Sequence, residues 1–335
     1  GYYFITPGIP ESVTGALPPA NLPDSVMGPG AANLVSAIGY GGNLAQFQQA
    51  AGIAGYFSVL PDEDGTIRKV HLLTRYKGGL YESFSAATLR AAMGADPLRA
   101  GMEEIHVLGR TYHQPWVEVA GIRIPLNADG SSWVPYRAGA PFPYVSAREA
   151  IAGRTDKGVL ENRVVLVGST APGLADLRVT PFSGAFPGVE IHAHMIAGML
   201  DGNTLHTPAW SGDARVVIVL LVGLALAFAL PLIGPIWGLV VSLLLLGLLA
   251  GGHLLAWRHY WVLPMAAPLM TVAGLYLISA AHGFLAEARN KRQITKLFGQ
   301  YVPPELADKM SQDPTHYSME GQSREMTVLF SDIRG

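Results

Sequence analysis

The second half of the chain is dominated by three long apolar runs, at residues 216–233, 236–257 and 261–284. Each is close to the roughly 20 residues with which a helix crosses the hydrocarbon core of a bilayer. Helices of soluble proteins carry a polar face, and residues 216–230 have none. No Asp, Glu, Lys or Arg lies inside the three runs, which argues against ion or proton transport. The pattern therefore predicts three transmembrane helices.

Shorter patterns before these runs predict a mixed α/β domain. Apolar runs bounded by turn residues indicate strands, and mostly apolar segments that follow a capping residue indicate helices. The predicted elements are a hairpin of residues 56–60 and 67–76, a helix at 83–93, a hairpin of 116–119 and 121–125, a helix at 147–152 capped by Ser146, a fully buried strand at 163–168 and a helix at 189–200. Their number predicts a substantial core.

Charge location predicts the orientation in the membrane. Arg289, Lys291, Arg292 and Lys296 follow the last apolar run closely, and such basic clusters mark the cytoplasmic end of a membrane helix. Three crossings place the flanking domains on opposite sides of the bilayer. The domain before the helices is therefore expected to be extracytoplasmic.

The last helix is predicted to continue out of the bilayer to about Tyr301, where Pro303 and Pro304 follow. An approximate heptad stripe runs along it, formed by Leu285, Ala288, Ile294, Leu297, Phe298 and Tyr301. Such a stripe is typical of a parallel dimer stalk. A helix packed on its own domain would show a similar pattern, so both interpretations stay open.

Composition supports a membrane protein and says little else. The 335 residues are 50% hydrophobic and 14% charged, with a mean hydropathy of +0.28. A net charge of −2 gives no reason to expect nucleic-acid binding, and the absence of cysteine leaves the compartment open. Because the sequence begins at Gly1 without an initiator Met, we expect a fragment of a longer protein, preceded by one more transmembrane helix.

Three polar groups in the first domain could be mistaken for sites. His192 and His194 lie two apart in a predicted helix and would point about 200° away from each other, so surface or structural roles are favoured over a metal site. The acidic stretch 62–64 is more typical of a solvated turn than of a calcium site. Asp176 and Arg178 could bind a ligand after the buried strand, or could form an internal ion pair.

Several motifs of this domain resemble the second type of CHASE domain. They are GYFSVLPDEDG at 55–65, FPYVS at 142–146, VVLVGSTAPG at 164–173, and DLRVTP at 176–181 leading into FPGVEIH at 186–192. The resemblance covers roughly residues 1–205. It implies an extracytoplasmic sensor of a membrane-bound signalling protein, with one transmembrane helix before it and three after it. It implies no particular ligand, so the external ligand or partner stays unknown.

The end of the chain presents a β-rich run that closes on an acidic residue, Asp332. A carboxylate at a strand end can coordinate Mg²⁺, although most such aspartates are turn residues. FGQYVPPE at 298–305 and REMTVLFSDIRG at 324–335 together resemble the entry into a class III nucleotide cyclase domain, which has an α+β ferredoxin-like fold. The resemblance implies that Asp332 and the carbonyl of Ile333 bind metal, and that Arg334 and Gly335 begin the phosphate-binding turn.

The resulting hypothesis has four parts: a sensor domain at 1–212, three membrane helices within 213–284, a helical stalk and linker at 285–323, and the start of a cyclase domain at 324–335. By resemblance, the full-length protein would be a homodimeric adenylate cyclase of the plasma membrane that uses ATP and two Mg²⁺ or Mn²⁺ ions per active site. The alternatives are a guanylate cyclase and a non-catalytic receptor with a degenerate cyclase domain.

Overall fold

The computed structural model describes residues 1–94, 96–139, 141–170, 176–298, 325 and 327–332, without the side chains of 290, 291 and 293–298. These residues divide into two compact units. The first contains Gly1–Val219 and Gly247–Pro268, and the second contains Leu220–Leu246 and the described residues from Leu269 onward. The first unit is a mixed α/β domain followed by helix ends, and the second is helical.

The elements follow one another as short strands and helices and then as two long helices. In chain order they are β1 (Tyr3–Ile5), β2 (Val13–Thr14), β3 (Leu22–Pro23), a 3₁₀ segment (Asp24–Asn33), β4 (Gly39–Gly41), α1 (Ala45–Ala50), β5 (Lys69–His71), β6 (Leu73–Tyr76), β7 (Gly79–Glu82), α2 (Phe84–Ala92), β8 (Arg99–Val107), β9 (Arg110–Val119), β10 (Ile122–Pro125), β11 (Ser131–Trp133), α3 (Ala147–Ile151), α4 (Lys157–Leu160), β12 (Leu177–Thr180), β13 (Ser183–Pro187), α5 (Gly188–Leu200), α6 (Ser211–Arg258) and α7 (Ala266–Phe298).

The described strands form small sheets, with strand orders β1-β4-β2, β3-β7-β6, β11-β5, β10-β9-β8 and β12-β13. The longest pairing is the β8–β9 hairpin, which runs in register from Arg99 opposite Glu118 to Val107 opposite Arg110. β9 continues into β10, where Ile122 lies opposite Val119. The predicted β9–β10 hairpin is therefore confirmed, whereas the pattern gave no indication of β8.

The main core lies between α2, α5 and the strands β5, β6, β9 and β10. Its fully buried members include Leu72, Leu89, Val117, Ile191 and Met195. The predicted helices α2 and α5 are confirmed. Ser83 caps α2 by accepting a hydrogen bond from Ala86 N–H (3.2 Å), which satisfies one of the free donors of the first turn.

The predicted hairpin of residues 56–60 and 67–76 is wrong, although the turn between them forms. Tyr56 instead bridges Tyr2 and Ser83, and the N–H of Ile67 donates to Val179 O (2.8 Å). β6 pairs with β7 through a two-residue turn at Lys77 and Gly78, both at positive φ. Positive φ at both central positions is the geometry of the tightest hairpin turns, and it lets β6 pair directly with β7.

The predicted buried strand at 163–168 is also wrong. These residues form no strand pairing among the described residues, and Val167 is 88% exposed. Leu166 alone of the run packs against the main core. An apolar run favours a strand, but a strand also needs a partner backbone, which sequence pattern does not supply. Helix α3 forms as predicted, but the Ser146 side chain makes no capping hydrogen bond.

Helix α6 is 48 residues long and is interrupted near its middle. Gly234 has φ 73° and ψ 166°, and Pro231 and Pro235 flank it. A Cβ atom on Gly238 would lie 3.1 Å from Leu230 Cδ2, although eight residues of continuous helix rise about 12 Å. The chain therefore folds back at Gly234. Because of this break, Gly234 and Gly238 do not lie on one continuous helix face.

Two helices are long and apolar enough to cross a membrane: Ser211–Arg258 and Ala266–Arg289, the latter within α7. Their side chains are mostly exposed, unlike those of the core helices of soluble proteins. α7 begins five residues later than the third apolar run, because Trp261 is held in a bridge to His206. It extends to Phe298 without a break, as expected of a stalk. Tyr301 lies outside the described residues.

The β-rich run before Asp332 is not a strand where the structure describes it. Residues 327–332 make no strand pairing, and Val328, Leu329 and Phe330 are exposed. No described strand lies beside them, so their β propensity has no ladder to join. Ile333, Arg334 and Gly335 lie outside the described residues, and their predicted roles stay predictions.

Candidate functional site

His192 is buried in the core, where its ring makes two hydrogen bonds. Its Nε2 lies 3.3 Å from Phe57 O, and its Nδ1 lies 2.8 Å from Ser85 Oγ. Because a carbonyl only accepts, Nε2 carries the proton and Nδ1 accepts from the Ser85 hydroxyl. Burial lowers the pKa of His192 to about 4, despite the opposing effects of Phe57 O and Asp176. The ring is therefore neutral and structural.

His194 lies in an aromatic environment on the other side of α5. Its ring packs edge-on against Tyr136 and Phe142, at centroid distances of 5.4 and 5.0 Å. Nδ1 accepts a hydrogen bond from Arg137 N–H (3.3 Å). Burial lowers the pKa of His194, with a smaller opposing effect from Glu190. The two histidines have separate partners, as the helical spacing predicted.

The acidic turn at 62–64 is closed by cations of the protein itself. Arg68 donates to Asp62 (2.9 Å) and forms two hydrogen bonds with Asp64, at 3.0 and 2.7 Å. The Arg68 guanidinium holds the pKa of Asp64 well below its usual range. Asp176 and Arg178 form an ion pair at 3.5 Å, which is the internal pairing considered for them.

The most connected polar region is the junction between the sensor core and the start of α6. We define the connector as residues 203–210. Asn127, which is buried, accepts a hydrogen bond from Thr207 N–H (2.7 Å), and Trp133 Nε1 donates to Thr207 Oγ1 (3.2 Å). Leu205 O accepts from Trp133 N–H (3.1 Å) and from the Ser132 hydroxyl (3.1 Å). The connector is thus an extra strand-like layer on the sensor core.

Strand β9 continues this attachment onto α6. The buried Gln114 donates from Nε2 to Leu126 O and accepts through Oε1 from Ala209 N–H (2.7 Å). On the same face of β9, the Tyr112 hydroxyl and Arg110 donate to Asp213 Oδ2, at 3.0 and 2.8 Å. Asp213 lies in the first turn of α6, where the positive end of the helix dipole also stabilises a carboxylate.

The loop between α6 and α7 is bound to the same connector. His206 N–H donates to Tyr260 O (3.1 Å), and Val262 N–H donates to His206 O (2.9 Å). The Tyr260 hydroxyl donates to Asn203 Oδ1 (2.6 Å), and the indole rings of Trp210 and Trp261 pack edge to face at 5.6 Å. Burial lowers the pKa of His206 to about 4. One short connector therefore holds the N-terminus of α6 and the loop before α7.

Sequence reasoning missed this junction. Arg110 and Asp213 are 103 residues apart, and neither belongs to a motif. The available signals were the Trp residues at 210 and 261, which flank the apolar runs as interfacial aromatics do. Among the predicted metal and phosphate residues, only Asp332 is described, and it is exposed and lies outside any helix or strand. Among the described residues, no group of three His, Asp or Glu side chains is arranged to hold a metal.

Comparison with protein families matches residues 13–230 to the CHASE2 domain. Comparisons with curated proteins and with solved structures give no match. The matched region contains the whole β8–β9 hairpin, the two histidines of α5, the connector and the first turns of α6. It therefore includes the sensor together with its attachment to the helices. The chain belongs to the CHASE2 domain family, and its first domain is an extracytoplasmic sensor of a membrane signalling receptor.

Proposed function

We propose that the chain is the sensory and membrane part of a homodimeric class III adenylate cyclase. The observation that carries the coupling role is the junction, where buried Gln114 and Asn127 bind the connector that leads into α6. A change in the sensor core has a short, hydrogen-bonded route to the helix ends. The cyclase assignment rests on the resemblance of residues 298–305 and 324–335 to the entry of a cyclase domain.

Three membrane crossings are part of this proposal. The break at Gly234 supports it, because 48 residues of helix are more than twice what one crossing needs. Both ends of α6 belong to the unit that contains the sensor, whereas its middle belongs to the other unit. This division favours a helical pair that crosses twice, followed by α7 as the third crossing. The basic cluster at 289–296 then lies in the cytoplasm.

The proposed reaction is attack of the ribose 3′-oxygen of ATP on the α-phosphorus, which forms cyclic AMP and releases pyrophosphate. Mg²⁺ or Mn²⁺ would stabilise charge on the phosphates when bound. Among the described residues of the last segment, Glu325 and Asp332 are exposed carboxylates, and no described group of three such side chains could hold a metal. Cyclase activity would therefore require a second metal ligand elsewhere in the full-length protein.

The alternatives differ in the residues expected beyond Gly335. A guanylate cyclase would share Asp332 and the stalk but carry different base-contacting residues. A non-catalytic receptor would share the sensor and helices but lack a second metal aspartate.

The test is Asp332→Ala in the full-length protein, purified in lipid nanodiscs and supplied with ATP, GTP and Mg²⁺. We expect cyclic nucleotide formation to fall to background while the protein stays dimeric, because a metal carboxylate is lost. The matched control is Asp313→Ala, which removes a carboxylate from the polar linker and should retain activity. Wild-type turnover by the Asp332 variant would overturn the assigned role. Formation of cyclic GMP alone by the wild-type protein would select the guanylate alternative.

A further inference from the structure

The tip of the β8–β9 hairpin carries an unusual residue. Leu108 and Gly109 form the two-residue turn, with φ 49° and 78°. Such turns favour Asn, Asp or Gly at the first position, because positive φ is sterically costly for other residues. Leu108 is nevertheless there, and it is 99% exposed. Within the described chain, this leucine gains no packing that would offset its backbone conformation.

The direction of the hairpin follows from its contacts with the connector and α6. Gln114 binds Ala209, whereas Tyr112 and Arg110, which come earlier in β9, bind the later residue Asp213. β9 therefore runs antiparallel to the start of α6. From Gln114 back to the hairpin tip, β9 therefore points in the same direction as α6 does from its N-terminus into its apolar run.

The position of the tip along the axis of α6 can be compared with the position at which the apolar run begins. Leu108 lies two residues beyond Arg110, which is about 7 Å along a strand. Val216 lies three residues beyond Asp213, which is about 4.5 Å along a helix. Because Arg110 and Asp213 are in contact, the tip lies level with the turn Val216–Val219, where the continuous apolar sequence begins.

We propose that the β8–β9 tip inserts into the external surface of the lipid bilayer, with Leu108 at the boundary between headgroups and acyl chains. Single exposed leucines are common on protein surfaces. Leu108 differs, because it occupies a turn position of unfavourable φ that lies at the height where the apolar run of α6 begins. Arg110, whose side chain is 74% exposed, lies beside it at headgroup level. The proposal rests on the membrane crossing proposed for α6, and it adds a lipid contact made by the sensor itself.

The absence of cysteine allows a clean test by single-cysteine labelling of the full chain in phosphatidylcholine nanodiscs. An environment-sensitive fluorophore is attached at Leu108→Cys, His106→Cys, Glu104→Cys, Ile151→Cys or Val217→Cys. Nitroxide-labelled lipids with the quencher near the headgroup are then added. Ile151, which is 88% exposed on α3, is the control away from the tip. Val217 in α6 is the control for the crossing.

We expect severalfold stronger quenching and a blue-shifted emission at position 108 compared with 151, with quenching falling from 108 through 106 to 104. Quenching at 217 but water-like emission at 108 would overturn the proposal and leave the crossing intact. Absence of quenching at both 108 and 217 would overturn the proposal together with the crossing. A blue shift at 108 without lipid quenching would assign the tip to a protein partner, such as a second copy, and would also overturn it.

Discussion

At the scale of single residues, the burial of His192 makes the stability of the CHASE2 domain depend on pH. His192 donates to Phe57 O and accepts from Ser85, so both ring nitrogens are hydrogen-bonded in the neutral form. Its pKa is lowered to about 4 by burial, against about 6.5 in an unfolded chain. Between these two values the unfolded state binds more protons than the folded state, so stability decreases as pH falls.

We therefore predict that the sensor loses stability as the pH falls from 7 to 5 and below. The loss of unfolding free energy from His192 alone reaches about 3 kcal/mol at pH 4. The stability is fully present above the unfolded pKa near 6.5. The measurement is urea unfolding of the whole protein in nanodiscs at several pH values. His192→Asn, whose amide does not titrate, should be less stable at pH 7 but should show a smaller loss towards pH 5.

The control for this slope is Ile191→Val, a cavity-forming change at the neighbouring buried position that costs about 1 kcal/mol. It should lower stability equally at every pH. An unchanged pH slope in the Asn variant would show that other groups are responsible, such as His206, whose pKa burial also lowers to about 4.

Residue-level prediction worked where the cause is local. The helix α2 and the helical spacing of His192 and His194 depend on neighbours within a few residues, although the one predicted side-chain cap, Ser146, makes no capping hydrogen bond. It failed for Arg110 and Asp213, because their pairing depends on the fold bringing together residues 103 apart. It also failed for the run at 163–168, because composition indicates an apolar strand but not whether a partner strand is available.

At the scale of elements, two kinds of contact attach β9 to the start of α6, and they differ in energy. Arg110 and Asp213 are exposed, and exposed ion pairs contribute little because water and salt screen them. Gln114 is buried and has both of its polar groups bonded, so its loss leaves Ala209 N–H and Leu126 O without partners. The buried amide, rather than the visible ion pair, should stabilise the junction.

We predict that Gln114→Leu destabilises the sensor by about 2–3 kcal/mol, which corresponds to a melting temperature lower by roughly 5–10 °C. The matched comparison on the same strand face is Arg110→Gln, which should change the melting temperature little at physiological salt. Thermal melting followed by tryptophan fluorescence measures both, since Trp210 belongs to the connector and Trp261 packs against it. A larger effect of the Arg110 variant would mean that the exposed pair dominates.

The break at Gly234 is an element-level feature whose position the sequence predicted but whose geometry it did not. The prolines at 231 and 235 marked a break between two apolar runs, and the break lies there. Its backbone at φ 73° and ψ 166° is accessible almost only to glycine. The apolar runs alone did not show that the chain folds back there, because the gap between them is only two residues long.

At the scale of the whole molecule, the number of crossings decides on which side of the membrane the stalk lies. If α6 crossed once as a single long helix, the α6–α7 loop would be cytoplasmic and the end of α7 external. If it crosses twice around Gly234, the loop is external and the end of α7 cytoplasmic. The hydrogen bonds of Tyr260 and Val262 to Asn203 and His206 place the loop with the connector of the sensor, which supports the second arrangement.

We predict that single cysteines at Ile151 and Arg258 react with a membrane-impermeant maleimide on intact cells, and that one at Arg292 reacts only after permeabilisation. All three positions are exposed, and the chain has no native cysteine to interfere. The single-crossing arrangement gives the opposite result at both 258 and 292, so these two sites check each other. Protection at 258 together with labelling at 292 would rule out the proposed path from sensor to cyclase, because the stalk would then lie on the sensor's own side of the membrane.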